Sequence, residues 1–297
     1  MPSHRVDAGI LSQFNMIFLE NSIETYKSPS IFIEPNHNIF RMKGKDTISF
    51  LDRISTNRIE KSSSIYSSET VLTNNKGSII DVLKYKTLDP ENIIFTFNIN
   101  NKETINHLNN YIILDDVEIS LEKKVIKLSY FSKNKNIPIE LINHSSITNL
   151  DESFNYFRYE LFIDKIILEK VFNLNSINNL TKSEKNLLEI YLNFFDYEST
   201  LSKINPLETG FQDSISFDKG CYVGQEVIAR LYNYKKVSRE IIYFKTKEMF
   251  NINDSFNNQD NISGKILSIE KNFDFFVGLC LIKKKDITKL KKEFILI

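Results

Sequence analysis

The sequence predicts an α+β protein, on three observations. Over residues 30–130, segments with strand character alternate with stretches whose apolar residues recur at helical spacing. A strongly amphipathic helix is predicted to begin at Ser183, with Leu187, Leu188 and Tyr191 on one face. Beyond residue 230, short apolar runs are separated by polar turns rich in Asn and Asp, which is typical of a small β-barrel or β-sandwich.

The first predicted strand covers residues 30–40 and leads into a helix. Asp46 is a candidate N-cap, because an Asp side chain can accept a hydrogen bond from the first helical turn. Apolar residues then recur at roughly helical spacing, at Ile48, Leu51 and Ile54. Residues 1–30, before the strand, are expected to form an N-terminal extension.

Residues 70–83 are predicted to form a β-hairpin, because apolar runs flank the turn Asn74-Asn75-Lys76-Gly77. The next elements are predicted as a strand, a helix and two strands, at residues 92–97, 102–114, 117–121 and 125–129. This order favours an α+β sandwich of the split βαβ kind.

The middle of the chain has weaker signals. Residues 132–150 are polar and are predicted to be mostly loop, whereas residues 157–162 and 165–168 have strand character. Three strands are predicted for the C-terminal part, at residues 240–246, 264–269 and 275–282. The predicted organisation is therefore an extension at 1–30, an α+β region at 31–230 and a β-barrel at 231–297.

Composition is that of an ordinary soluble globular protein, with 41% hydrophobic and 26% charged residues among 297. The formal net charge is zero, whereas a nucleic-acid coat protein needs a basic excess, so no direct contact with nucleic acid is expected. The sequence has no apolar run of about 18 residues, which predicts no membrane contact through a spanning helix. We expect a cytoplasmic monomer.

Two cysteines and four histidines limit the metal chemistry of the chain. An iron–sulfur cluster usually takes four ligands, more than Cys221 and Cys280 supply. No histidine stands at metal-ligand spacing from another histidine or from a cysteine, so no permanently bound metal is expected. Cys280 lies in an apolar run and is predicted to be a plain core residue.

The most informative segment is 219–226, which places one cysteine between two of the eight glycines. Glycine permits close approach of the backbone, and nearby cations stabilise a thiolate. A free cysteine is most often a small buried hydrophobe, but a core cysteine does not need these neighbours. The segment and its sequel read Lys219, Gly220, Cys221, Tyr222, Val223, Gly224, Gln225, Glu226, and then Ala229 and Arg230.

This segment resembles the signature of the YgfZ-type folate-binding proteins, relatives of the glycine-cleavage T-protein that include factors for late iron–sulfur cluster assembly. Their pattern, K-G-C-[YF]-x-G-Q-E followed by A-R, is complete here. Residues 41–57, 72–81, 205–208 and 263–279 resemble further family blocks. Residues 189–196 differ, because they lack the Arg and the Gly-Ile-Pro turn that many relatives have there.

The resemblance implies a T-protein-like fold, with two intertwined ferredoxin-like α+β units and a C-terminal β-barrel around a folate cleft. It implies tetrahydrofolate or a derivative as the cofactor, with the Asp81 carboxylate on the amino-amidine edge of the pterin. Lys219, Tyr222 and Arg230 are expected at the folate, or, for the two cations, beside the thiolate of Cys221. Residues expected to structure the loop are Gly220, Gly224, Gln225 and Glu226.

Without the resemblance, a carboxylate beside a turn is often simply solvated, and isolated cations are often surface charges. Functions of different classes therefore stay open. The first is a folate-dependent factor that assembles or repairs [4Fe–4S] proteins through Cys221 and supports tRNA modification indirectly, with iron–sulfur client or assembly proteins as partners. The second is a tetrahydrofolate-dependent aminomethyltransferase or demethylase of the T-protein type, and the third is a folate-binding module without chemistry. The cysteine favours the first, because T-protein chemistry does not need a thiol.

Overall fold

Two β-sheets and the helices packed on them form the structure, a computed structural model. It describes residues 29–59, 66–97, 101–133, 135, 137–153, 156–171, 177–192, 204–257, 262–287 and 295–296. Within those residues, eight strands form a larger sheet and five form a smaller one. Residues 1–28 lie outside the described part, so the N-terminal extension stays a prediction.

The larger sheet uses strands from the first two thirds of the chain. They are β1 (Ser30–Lys43), β2 (Ser68–Thr73), β3 (Ile79–Asp89), β4 (Asn92–Phe97), β5 (Glu118–Ser132), β6 (Ser145–Ser153), β7 (Tyr156–Ile163) and β8 (Asn178–Asn179). Their order is β2-β3-β4-β1-β5-β7-β6 with antiparallel pairing, and β8 adds a short parallel pairing to β1.

The larger sheet curls until its two edges approach each other. Ser67, just before edge strand β2, donates its backbone N–H and its Oγ to the carbonyl of Thr148 in the other edge strand, β6, at 2.7 and 2.9 Å. A buried apolar cluster lines the resulting inner face and consists of Ile39, Ile94, Val125, Ile147 and Phe162. The inner face is therefore an enclosed interior.

Seven helices accompany the sheets in the described part of the chain. They are α1 (Thr47–Ile54), α2 (Asn101–Tyr111), α3 (Ile139–His144), α4 (Lys165–Val171), α5 (Lys182–Leu192), α6 (Gln225–Asn233) and α7 (Lys284–Ile287). Helices α1 and α2 cover the outer face of β2–β4, where Phe50 and Leu108 pack with Leu83 and Phe95. Each of these four side chains is fully buried.

The smaller sheet lies entirely beyond residue 238. Its strands are β9 (Arg239–Thr246), β10 (Ser255–Asn257), β11 (Ser263–Asn272), β12 (Phe275–Lys283) and β13 (Ile295–Leu296), in the order β10-β11-β12-β9-β13. Helix α5 packs between the two sheets, since Leu187 and Leu188 share one core with Val82 of β3 and Val277 of β12. Closure of these strands into a barrel stays a prediction.

The predicted hairpin, the strand at 92–97, the helix near 183 and the C-terminal strands are all present. The predicted strands 117–121 and 125–129 are one continuous strand, β5. Both predicted α+β units contribute to a single curled sheet, and their ferredoxin-like character stays a prediction. Asp46 occupies the N-cap position of α1 but does not cap it, because its Oδ2 accepts a hydrogen bond from the Asp116 N–H at 2.9 Å.

Two predictions in the middle of the chain are wrong. The region predicted as loop contains α3 and β6. Leu141 and Ile142 are buried in a core with Leu128 and Tyr159, and these tertiary contacts are not visible in the local sequence pattern. Residues 165–168 begin helix α4 instead of a strand. The Asp164 carboxylate accepts a hydrogen bond from the Ile166 N–H at 2.8 Å, a local interaction that favours a helix start.

Candidate functional site

The cysteine loop, residues 215–224, connects a short 3₁₀ turn (Phe211–Ser214) to helix α6. Cys221 in this loop is exposed, whereas Cys280 is fully buried in β12. Burial raises the pKa of the Cys280 thiol to about 12, which keeps it protonated and unreactive. Of the two thiols in the chain, only that of Cys221 is therefore accessible to a reaction partner.

Lys219 fastens the start of this loop to the end of helix α1. Its Nζ donates to the carbonyls of Asp52, Ser55 and Asn57 at 2.5, 2.9 and 2.8 Å, and lies 3.4 Å from the Asp52 carboxylate. Burial lowers the pKa of Lys219, and the nearby Asp52 carboxylate partly opposes that shift. All three N–H donors of the ammonium are used, so the predicted contacts with folate or the thiolate gain no support.

The segment after α1 and the start of the cysteine loop are joined by further hydrogen bonds. Thr56 Oγ1 donates to the Ser214 carbonyl at 2.6 Å, and the Ser216 N–H donates to the Thr56 carbonyl at 3.0 Å. Ser216 Oγ also donates to Asn57 Oδ1 at 2.7 Å. Two blocks about 160 positions apart in the chain thus form one piece of structure.

Tyr222 anchors the loop from the other side of the cysteine. Its ring is buried with Leu207, Ile215 and Ile228, and burial raises the pKa of Tyr222 to about 12. Tyr222 is therefore a core residue of the loop, and its predicted contact with folate gains no support. The next residue, Val223, accepts a hydrogen bond on its carbonyl from Thr73 Oγ1 at 2.5 Å.

Gly224 lies against the turn of the β2–β3 hairpin. Its φ is +84°, and a Cβ there would lie 2.5 Å from the Asn74 carbonyl oxygen and 3.0 Å from Gly77 Cα. Asn205 holds the same turn through an Nδ2 hydrogen bond to the Gly77 carbonyl at 2.8 Å. The hairpin turn, the segment at 205–208 and the start of α6 therefore meet directly behind the cysteine loop.

A reciprocal capping box stabilises the 205–208 segment. The Leu207 N–H donates to Asn205 Oδ1 at 3.0 Å, and the Asn205 N–H donates to Glu208 Oε2 at 3.2 Å. Both oxygens of Glu208 also accept hydrogen bonds from the Arg239 guanidinium, at 2.6 and 2.8 Å. This bidentate pair ties the site to the first strand of the smaller sheet.

The other residues expected to structure the loop have a different place. Gly220 is exposed and has no crowding neighbour, and the side chains of Gln225 and Glu226 make no hydrogen bond to a residue in the described part of the chain. The loop is held by Lys219, Thr73 and Gly224, and not by Gly220, Gln225 or Glu226. Arg230 is exposed on α6, where it is available to a ligand or a partner.

Asp81 is buried on the outer face of the larger sheet and is not solvated. Its Oδ2 accepts a hydrogen bond from Thr104 Oγ1 of α2 at 2.6 Å, and its Oδ1 accepts one from the Val82 N–H at 2.7 Å. The following side chain, Val82, lies on the inner face. The carboxylate thus links β3 to α2, and its predicted contact with a pterin gains no support from this geometry.

A buried ion network lies on the inner face of the larger sheet, and no motif in the sequence marks it. Glu160 of β7 is its centre, since its carboxylate is hydrogen-bonded to Lys84 Nζ of β3 and lies 3.2 Å from Lys127 Nζ of β5. Arg158 lies 2.7 Å from both Asp151 and Glu189. Glu34 of β1 and Lys185 of α5 belong to the same network, whose buried members among the described residues are four cations and four carboxylates. The half-exposed Lys182 lies 3.6 Å from Glu34 at its edge.

Ser129 of β5 is a buried polar residue beside this network. Ser129 lies directly opposite Glu160 in the β5–β7 pairing, so both side chains are on the inner face. Its Oγ is buried and has no hydrogen-bond partner within the described ranges. Because a buried hydroxyl without a partner costs about 1–3 kcal/mol, Ser129 is a candidate contact for a bound polar molecule.

Two general properties complete the site. Among the side chains that the structure describes, no group of three or more His, Cys, Asp or Glu is arranged to hold a metal ion. No helix within those ranges has the length and apolar character needed to cross a membrane.

Comparison with known proteins supports the fold. No family model matches the chain. An aminomethyltransferase of Oceanobacillus iheyensis is 22% identical over 252 residues, which cover 73% of this chain and 67% of that protein. The glycine cleavage system aminomethyltransferase T from Bartonella henselae has a similar structure, with a TM-score of 0.65 and 11% identity over 89% of this chain and 81% of that one.

The chain has a T-protein-like fold. This confirms the predicted fold type and leaves the YgfZ-specific assignment as a prediction. The ion network lies inside the curl of the larger sheet, and the cysteine loop lies against the β2–β3 hairpin turn. The chain therefore has two distinct candidate sites.

Two glycines allow a matched test of how rigidly the loop is held. Gly224→Ala is expected to destabilise the protein by about 1–3 kcal/mol more than Gly210→Ala, because both glycines have positive φ but only Gly224 is crowded. Urea unfolding of the two variants measures the difference. Equal destabilisation would show that the hairpin turn does not support the loop.

Proposed function

We propose that this protein is a folate-binding factor that assembles or repairs [4Fe–4S] proteins through Cys221, and thereby supports tRNA modification indirectly. The observation that carries the proposal is an exposed thiol on a loop fixed on both sides. Lys219 holds the residues before it, and Tyr222 and Gly224 hold those after it. A thiol is useful to a partner when it is both accessible and positioned.

The cluster itself is cargo in this proposal. One thiolate supplies one ligand, whereas a cluster usually takes four, so the other ligands must come from a client or assembly protein. Cys221 then provides a temporary ligand to iron while the cluster passes between proteins. A thiolate is required for this role because the protonated thiol is a poor metal ligand.

We place tetrahydrofolate at the inner ion network. Glu160 and Glu34 supply carboxylates that accept hydrogen bonds from an amino-amidine edge, and Ser129 supplies a buried hydroxyl without a partner in the described part of the chain. Bound tetrahydrofolate would carry one-carbon units. Asp81 and Lys219, the positions that the resemblance implies, stay candidate contacts, although their polar groups also make contacts within the fold.

Tetrahydrofolate is expected to raise the melting temperature of the protein. At a hundred times its Kd, a ligand stabilises by about 2.7 kcal/mol, which corresponds to a rise of several degrees for a chain of this size. Ser129→Ala removes the unpartnered hydroxyl, so it is expected to raise the melting temperature of the free protein and to reduce the further rise on binding, whereas the exposed control Ser49→Ala keeps both. Differential scanning fluorimetry measures these values.

No rise at saturating tetrahydrofolate would exclude a folate site. A full rise in Ser129→Ala would keep the folate but move it away from the ion network.

A one-carbon transferase of the T-protein type is the second candidate, favoured by the aminomethyltransferases that the chain resembles in sequence and in fold. Deleting the gene separates the two functions. The activity of a [4Fe–4S] enzyme, such as a tRNA methylthiotransferase, is expected to fall in the deletion strain. Full activity without the gene would reject the cluster function and leave the transferase.

A further inference from the structure

An exposed aromatic pair lies next to the cysteine loop. Phe217, four residues before Cys221, stacks on Tyr232 of helix α6, with ring centroids 3.9 Å apart and 21° between the planes. The two residues are 37% and 48% exposed, and Tyr234, at the end of the same helix, is 68% exposed. Clustered aromatic rings at a surface are typical of protein–protein contacts.

Cations are concentrated in the segment that contains Tyr232. The segment 225–236 has Arg230, Lys235 and Lys236 against one carboxylate, Glu226, and all four residues are exposed. The chain as a whole has zero formal charge, so this local excess is a property of the segment and not of the protein. We call Phe217, Arg230, Tyr232, Tyr234, Lys235 and Lys236 the docking patch.

The end of helix α6 fixes the direction of these cations. Lys235 has a φ of +51°, and its N–H donates to the Tyr232 carbonyl at 3.1 Å. The Lys236 N–H then donates to the Leu231 carbonyl at 2.9 Å, which closes the turn. Lys236 Nζ lies 5.5 Å from the centre of the Tyr234 ring, a cation–π distance.

The docking patch is rigidly connected to the thiol. Helix α6 begins at Gln225, four residues after Cys221, and is held by Ile228, which is fully buried. Phe217 belongs to the cysteine loop itself, where Arg58 contacts the carbonyl and the carboxylate of the neighbouring Asp218 at 3.1 and 3.3 Å. A partner bound to the patch would therefore have a fixed position relative to Cys221.

We propose that the docking patch binds a partner protein through an acidic contact surface and thereby presents that partner's cluster site to Cys221. The inference rests on the proposed function, because it names the kind of partner that the cysteine serves. Tyr and Arg are enriched among the residues that dominate binding energy at protein interfaces. The three cations favour a partner surface of the opposite charge and speed its association.

The same observations argue against RNA as the partner. Phe217 and Tyr232 each cover one face of the other ring, so each ring has only one face left for stacking a base. The carboxylates of Glu226 and Asp218 are exposed beside the cations and repel phosphate. A cationic surface for a nucleic acid usually needs a larger excess.

Matched variants test the proposal in a strain that lacks the gene, with [4Fe–4S] enzyme activity as the readout. The patch variants are Phe217→Ser with Tyr232→Ser, and Lys235→Glu with Lys236→Glu. Their controls are Phe273→Ser, at an 80% exposed ring, and Lys123→Glu with Lys124→Glu, at exposed lysines of β5. Purified proteins are compared for melting temperature and for the rate at which Cys221 reacts with a disulfide reagent.

Both patch variants are expected to leave enzyme activity near the deletion level, while thiol reactivity and melting temperature stay those of the wild type. Loss of an aromatic or cationic hot spot corresponds to roughly 30-fold weaker binding. The controls are expected to restore full activity. Full rescue by the patch variants would overturn the docking proposal and keep the proposed function, whereas full activity in the deletion strain would overturn the proposed function and the docking proposal that rests on it.

A second measurement addresses the kind of partner. Fluorescence anisotropy with bulk tRNA is expected to show no binding that depends on Lys235 and Lys236. Binding to tRNA that the Lys235→Glu and Lys236→Glu changes abolish would identify RNA as the occupant and overturn a protein partner.

Discussion

Replacing Glu160 with glutamine is expected to lower the free energy of unfolding by about 3–5 kcal/mol. The glutamine keeps the shape of the side chain and removes its charge. Lys84 and Lys127, which both contact the Glu160 carboxylate, then lie next to a neutral amide. A buried cation that loses its counter-ion keeps its full cost of desolvation, which is the physical reason for the size of the effect.

Chemical unfolding in urea measures this prediction, with Glu122→Gln as the control. Glu122 also pairs with a cation, Arg41, at 2.6 Å, but near the surface, where such a pair contributes about 1 kcal/mol or less. Should Glu160→Gln not fold, the double variant Lys84→Met with Glu160→Leu removes both charges, and Lys127 keeps Glu34 at 3.7 Å. It is expected to be the more stable of the two. Equal stability of Glu160→Gln and the wild type would show that the network is not a unit of the fold.

Replacing Lys219 with methionine is expected to cost about 2–3 kcal/mol and to loosen the cysteine loop. Methionine fills the same space but leaves the carbonyls of Asp52, Ser55 and Asn57 without their donor. An unpaired buried carbonyl costs about 1–3 kcal/mol, and the desolvation that lowers the pKa of Lys219 offsets part of that loss.

The measurement is again urea unfolding, combined with hydrogen exchange of the loop amides at 215–224. Lys76→Met is the control, because Lys76 is exposed in the hairpin turn. Faster exchange in Lys219→Met alone is the expected result. Unchanged stability and unchanged hydrogen exchange would show that Lys219 does not hold the loop. Lys219 would then be a stronger candidate for contact with a ligand.

Local sequence features were sufficient to locate the cysteine loop. The spacing of Gly220, Cys221 and Gly224 predicted a displayed thiol, and Cys221 is exposed while Cys280 is buried. The role of Lys219 was not predictable in the same way. Its three acceptors lie more than 160 positions earlier in the chain, and nothing in a single sequence pairs them.

The ion network shows the limit of pattern analysis more clearly. Arg158 and Glu160 alternate with apolar residues in β7, which usually indicates a strand with one solvated face. Here both faces are covered, because the sheet curls and helix α5 brings Lys185 and Glu189 to its inner side. The same alternation therefore describes an enclosed charged face, and only the tertiary structure distinguishes the two cases.

Asp81 illustrates a related ambiguity. The resemblance to the T-protein hairpin drew attention to a carboxylate, but adjacent residues of a strand point to opposite faces. Asp81 faces α2 and Val82 faces the interior, so the inner position next to the predicted one is apolar. The polar groups of Glu160 and Ser129, where we propose the folate site, lie on the inner face, and no sequence motif marks them.

The most direct measurement of the central claim compares the two cysteines in the same deletion strain. Wild type and Cys280→Ala are expected to restore the activity of a [4Fe–4S] enzyme, and Cys221→Ala is expected to restore none while its purified protein keeps the wild-type melting temperature. The exposed thiol loses no packing on truncation, so a structural defect would not explain that loss. Full rescue by Cys221→Ala would contradict the assignment of the chemistry to Cys221.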